Sequence, residues 1–151
     1  MIIETNLTID QVVTMVHIGK GLHEESEFSD VAFDARRAVS VFSQINVPGS
    51  GVIGAIALED GEIHGYIVGR VEPHFFSSDL AAYDMMVYVP KEKRGAFTVV
   101  RLIKKFEELA KEHGCSRVYL GISTNIHPER TGALYNRLGY VNTGANTVKR
   151  I

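Results

Sequence analysis

The segment that most constrains the fold is LAAYDMMVYVPKEKRGAFTVVRLIKKFEELAKEHGCSRVYLGIS, from Leu80 to Ser123. It opens with a nearly unbroken apolar run, LAAYDMMVYV, the pattern of a strand buried on both faces. RGAFTVVRLIKKFEELAKEHG follows. Here Val99, Ile103, Phe106 and Ala110 recur at spacings of four, three and four, which is the stripe of an amphipathic helix. Lys104 with Glu108, and Glu107 with Lys111, are set to pair on its wet face, and Gly114 is placed to end it. SRVYLGIS then reads as a second strand. A strand, a helix of this length and another strand join as a right-handed parallel crossover. The chain is therefore expected to be an α/β protein with a mixed sheet and one parallel step near the sheet's centre.

The rest of the 151 residues fits around this unit as one domain, 1–151. LTIDQVVTMVHIGKGL has Val12, Met15, Val16 and Gly19 at helical spacing, with Thr8 or Asp10 as cap. DVAFDARRAVSVFSQI places Ala35, Ala38, Val39 and Phe42 on one face, and the polar HEESEFSD separates these helices. VPGSG is a loop, and GVIGAIALED and GEIHGYIVGRVE are strands joined by a tight turn at Asp60-Gly61. A short helix ends at Gly139, and YVNTGANTVKRI supplies terminal strand material. The expected order is β-α-α-β-β-β-α-β-α-β.

Composition closes off several classes. Hydrophobic residues are 45%, charged residues 23% and the net charge is −2, which points away from nucleic acid and from anionic membrane as partners. No apolar run is long enough to span a bilayer. MIIETNLTID lacks the pattern of a signal peptide, and Cys115, the single cysteine, permits no internal disulfide. A cytoplasmic protein is expected. The six histidines show no metal-ligand spacing, so no metal is expected.

Two stretches carry candidate chemistry. In VYVPKEKRGAFTVV a strand ends and a basic turn, Lys91 to Gly95, enters a helix. The unpaired N–H groups of a helix start favour phosphate, although a solvated loop would look the same. In TNIHPERTGALYNRLGY, Pro128 suits a first turn, while Gly132 moves the expected start of regular helix to about Thr131. Leu134 and Leu138 form the packed stripe, and Tyr135 sits beside it at the border of core and surface. It is there either to pack or to serve as an acid.

Together, V-x-V-P-x-x-x-R-G entering a helix and A-L-Y-N-R-L-G-Y some forty residues later resemble the GNAT superfamily of acyl-CoA-dependent N-acetyltransferases. The resemblance covers roughly Ala81 to Val141. GLHEESEF and the Arg94–Gly114 helix look most like compact phage and prophage members. The resemblance implies acetyl-CoA as co-substrate and a small-molecule or peptide amine as acceptor, with direct attack in a ternary complex. It implies two parallel strands that splay apart, and backbone groups of Val87 and Val89 on the pantetheine arm. Arg94, Gly95, Ala96, Phe97 and Thr98 would form the phosphate loop, with Asn125 on the same arm. Tyr135 would be the general acid to the departing thiolate. The base would be Asp84, Glu24, Glu25, His127 or Glu129, with a purely structural hydrogen bond as the alternative for Asp84.

Two departures stand out. The family's phosphate-loop glycine positions hold Phe97 and Val99, and the interval from Asn125 to Tyr135 is about three residues longer than is usual in the family. They keep a second reading open, a catalytically weak GNAT-fold interaction protein. The acidic HEESEFSD hints at a cationic acceptor, and EPHFFSS would be either an aromatic lip over the acceptor or a homodimer patch.

Overall fold

The computed structural model describes residues 1–95 and 97–151. The elements run β1 (Ile2–Glu4), α1 (Ile9–Glu25), α2 (Ala35–Phe42), β2 (Val52–Glu59), β3 (Glu62–Pro73), β4 (Leu80–Tyr88), α3 (Ala96–Glu112), β5 (Arg117–Tyr119) and α4 (Pro128–Arg137), with a 3-10 turn at Lys91–Lys93. The five strands form one sheet in the order β1-β2-β3-β4-β5. All neighbours are antiparallel except β4 and β5. The expected parallel step is present, but at the edge of the sheet rather than its centre. No described helix is long and apolar enough to cross a membrane.

Helices cover both faces, which explains why β2 reads as a continuous apolar run. Val52 and Ile56 pack with Val12, Met15 and Val16 of α1 and Phe42 of α2. The alternate residues Ile53, Ala55 and Ala57 pack with Leu102, Ile103, Phe106 and Ala110 of α3. Asp60 and Gly61 turn the β2–β3 hairpin at φ values of 51° and 80°, the left-handed conformations that a two-residue hairpin loop demands. Gly69 lets β3 approach its neighbours closely. A Cβ there would lie 2.3 Å from the Tyr83 carbonyl and 2.4 Å from Phe106 Cζ.

Thr8 is the α1 cap, exchanging hydrogen bonds with Gln11 in a capping box. The helix runs through Glu25, so His23, Glu24 and Glu25 belong to it rather than to a polar loop. Asp34 caps α2 and bonds the N–H groups of Arg36 and Arg37, which delays the helix to Ala35. Val39 is exposed, not part of the packed face. On α3, Lys105 pairs with Glu108, in place of the two expected pairs. Gly114, at φ 78°, follows the last turn as expected. α4 starts at Pro128, because proline supplies the first turn and Gly132 is accommodated inside the helix. β5 has three residues instead of eight, and residues 140–151 form no strand. That tail is polar and exposed, and its Arg150 binds Glu27 and Asp30 rather than a sheet edge.

Candidate functional site

The site begins where β4 and β5 part. Their ladder has three rungs, the last Tyr83↔Tyr119. Just beyond it, the N–H of Gly121, two residues past Tyr119, donates to Asp84 Oδ1 at 2.8 Å, so a side chain takes the place of the next backbone rung. On its other edge β4 carries a bulge. Val68 pairs with Met86 and Gly69 with Asp84, leaving Met85 as the extra residue. A bulge bends and twists its strand, and here it falls where β4 leaves β5. The described part of β4 from Tyr83 to Val87 is accordingly half-buried, not enclosed on both faces as the sequence pattern suggested.

The gap is a cleft of about 240 Å³. Asp84 through Val89 form one wall, and the segment after β5, including Gly121, Ser123 and Ile126, forms the other. α4 contributes Arg130, Leu134, Tyr135 and Arg137, α1 contributes Leu22, and Arg94, Gly95 and Val99 lie at the entrance to α3.

Tyr135 is 7% exposed and belongs to the core that packs under α3, deeper than its border position in the stripe indicated. Gly139, at φ 94°, ends α4 and turns the chain so that Tyr140 N–H bonds the Tyr135 carbonyl at 3.0 Å. The Tyr140 hydroxyl then donates to Glu107 Oε1 of α3 at 2.8 Å, and its ring lies 6.0 Å from that of Tyr135. Glu107 therefore anchors the end of α4. Burial, with the nearby charge of Asp84, pushes the Tyr135 hydroxyl above the ordinary tyrosine range. Burial also pushes Asp84 up to about 6, against the hydrogen bond from Gly121, which lowers it. The two groups line the same cleft, one an acid that keeps its proton and one a carboxylate that ionises near neutrality.

The basic turn is less free than its sequence indicated. Lys93 bonds Glu62 at 2.8 Å. Arg94 donates from Nε to the Val89 carbonyl at 3.1 Å, pairs with Glu25, and lies 5.9 Å over the Tyr88 ring. The start of α3 has Gly95 as N-cap and no side-chain hydrogen bond to its first N–H groups. Those amides and the guanidinium groups of Arg130 and Arg137 are the groups that suit an anion.

Of the residues expected from sequence, Asp84, Val87, Val89, Arg94, Gly95 and Tyr135 come together around the cleft. Phe97 does not join them. It is 66% exposed, beneath the Arg101 guanidinium. Thr98 is buried, with its hydroxyl toward Met1 Sδ at 3.7 Å. Asn125, at φ 59°, lines an open groove beside β5 that shares Asp84, Gly121, Ile122 and Tyr135 with the cleft. Ala96 lies outside the described residues. Among the alternative bases His127 lines the cleft, Glu129 lines the open groove, Glu24 is exposed and Glu25 is held by Arg94. Sequence reasoning missed Gly121, Arg130 and Arg137. The two arginines flank Leu134 at spacings of four and three on one helical face, and that signal would have found them. Among the described residues no group of three or more His, Cys, Asp or Glu could hold a metal ion.

Several solved structures share this architecture at low sequence identity. An aminoglycoside acetyltransferase from an uncultured soil metagenomic sample superposes with a TM-score of 0.73 at 20% identity, covering 100% of this chain and 99% of that one. A ribosomal-protein-alanine N-acetyltransferase from Brucella melitensis biovar Abortus 2308 gives 0.73 at 17% identity, with 100% of both chains covered. Glucosamine-6-phosphate N-acetyltransferase from Arabidopsis thaliana gives 0.73 at 18% identity, covering 99% and 97%. No curated protein matches the sequence. The acetyltransferase (GNAT) family matches residues 20–140, most of the chain including the parting strands, the α3 entrance and Tyr135. The chain belongs to the GNAT acetyltransferase family, and its cleft is the candidate active site of a GNAT-type acetyltransferase.

Proposed function

We propose that the protein transfers an acetyl group from acetyl-CoA to a primary amine held in the cleft between β4 and β5. The observation that carries this reading is that Asp84 and Tyr135 line one cleft, at the place where the parallel strands β4 and β5 part. The unpaired edge of β4 beyond Tyr83 fits an extended amide-bearing arm, with the backbone of Val87 and Val89 as its partners. The α3 N-terminus, Arg130 and Arg137 fit the phosphates. Acetyl-CoA supplies an activated thioester.

The chain's own groups do the rest. Above pH of about 6 the Asp84 carboxylate is ionised and takes a proton from the ammonium form of the acceptor, directly or through water. The neutral amine attacks the acetyl carbonyl, whose oxygen is stabilised by an N–H of the β4 edge. As the C–S bond breaks, Tyr135 gives its proton to the departing thiolate, and the proton shed by the acylated nitrogen passes through water to restore it. The raised pKa of Tyr135 keeps its proton in place throughout the working range. The bodies of Leu22, Met85, Met86 and Ile126 provide an apolar seat for the acceptor. Phe97 stands outside the cleft, so its bulk does not block the phosphates.

The test is isothermal titration with acetyl-CoA, followed by thiol release over a panel of amines. The wild type is expected to bind in the micromolar range. Tyr135→Phe is expected to bind equally well while kcat falls by about 10²- to 10⁴-fold. No binding up to about millimolar acetyl-CoA, a threshold of about −4 kcal/mol, refutes the reading.

A further inference from the structure

The family resemblance gives Arg94 to the phosphates of the donor, but in this structure Arg94 is already occupied. One guanidinium nitrogen is paired with Glu25, the last residue of α1, and Nε is on the Val89 carbonyl. That carbonyl belongs to the backbone that the proposed function gives to the pantetheine arm. Both side chains of the pair are 28% exposed, so water screens them only in part. Tyr88 faces the same carboxylate, and burial first, with Glu25 second, keeps its hydroxyl well above the ordinary tyrosine range. Tyr88 and Arg94 both line the cleft. Glu25 thus makes an anion's contacts at the mouth of a cleft whose other free groups suit an anion.

We propose that Glu25 is a resident competitor for the donor's phosphates. It holds Arg94 across the cleft mouth in the free protein and yields it when a phosphate-bearing acyl donor enters. The exchange swaps one anionic partner of Arg94 for another, clears the Val89 carbonyl and frees the C-terminal end of α1. Glu25 therefore lowers donor affinity and couples donor entry to the α1 end that borders the acceptor seat at Leu22. It acts through Arg94 and is a positioning residue, not a catalytic one. The inference rests on the proposed use of acetyl-CoA.

The test is titration calorimetry with two probes, acetyl-CoA and S-acetylpantetheine, which lacks the phosphates. Glu25→Gln keeps the size of the side chain and removes the charge. It is expected to tighten acetyl-CoA binding about two- to fivefold, the scale of a partly exposed ion pair, and to leave S-acetylpantetheine unchanged. In an Arg94→Gln background the gain should vanish. Glu25→Asp, which keeps the charge on a shorter arm, is expected to fall between wild type and Glu25→Gln and serves if the amide variant folds poorly. Wild-type binding of acetyl-CoA with no gain in either Glu25 variant, or with weaker binding, overturns the inference and leaves the proposed function intact. A gain equal for both probes also overturns it, since phosphate would then play no part. A wild type that binds neither probe overturns both.

Discussion

Asp84→Asn is expected to make the protein more stable at neutral pH and at the same time poorly active. The side chain is wedged between β4 and the turn after β5, with one Oδ1 bond from Gly121 and a folded-state pKa of about 6 against 3.8 for an unperturbed aspartate. Below the unfolded value both states hold the carboxyl neutral and folding incurs no penalty. As pH rises the unfolded chain ionises first, and stability is lost until the folded carboxyl ionises as well. Above about pH 6 the penalty is constant, at roughly two units of pKa or about 3 kcal/mol as an upper value. Asparagine keeps the Oδ1 acceptor for Gly121 and removes the charge. Its stability gain should be about 1–3 kcal/mol at pH 8, about half of that at pH 5, and about a fifth of it at pH 4. Urea denaturation of both proteins at these three pH values measures it. kcat/KM of the wild type should rise through about pH 6, and the variant should lose that limb. A variant that is no more stable at pH 8, or whose gain is the same at every pH, refutes the argument that burial of the Asp84 charge is what raises its pKa.

Gly69→Ala should destabilise the fold by about 1–3 kcal/mol or more, because the added methyl meets the Tyr83 carbonyl and the Phe106 ring at distances that real Cβ atoms do not reach; chemical denaturation gives the number. Thr8→Ala removes half of the α1 capping box and should cost about 0.5–2 kcal/mol by the same measurement, with acetyl-CoA affinity unchanged.

The sequence shows what is periodic or local. The α3 stripe, the Asp60-Gly61 turn, the α1 cap (narrowed to Thr8 or Asp10) and the Gly114 and Gly139 stops are all readable, because each depends on neighbours within a few residues. It shows less of what depends on the neighbours of a strand. LAAYDMMVYV looks buried throughout, yet its second half lies open to the cleft, because β5 stops after three residues. The parallel step was legible but its place at the edge was not, since no local pattern records which strand lacks a further partner. The expected last strand failed for the same reason: alternation in YVNTGANTVKRI is weak, and Arg150 takes the tail to Glu27 and Asp30 instead. At the site, Tyr135 and Asp84 could be named from their positions, but their environments could not. Arg94 looked like a free cation because the carboxylate that holds it lies 69 residues away in sequence. Phe97 and Thr98 were assigned by position in the loop, and the first turn of α3 directs their side chains outward and inward, so that only their backbone N–H groups are left to meet a phosphate.

The short β4–β5 ladder bears on how the molecule opens. β2 and β3 share eight residue pairs, whereas β4 and β5 share three. β5 and α4 are therefore joined to the meander by little backbone, and local opening begins where such contacts are few. Amide protons of β5 and α4 should exchange with solvent ahead of those in β2 and β3. The cleft is the seam between β5–α4 and the antiparallel strands. A donor laid along it would add backbone bonds across the seam, so that binding makes one unfolding unit out of two.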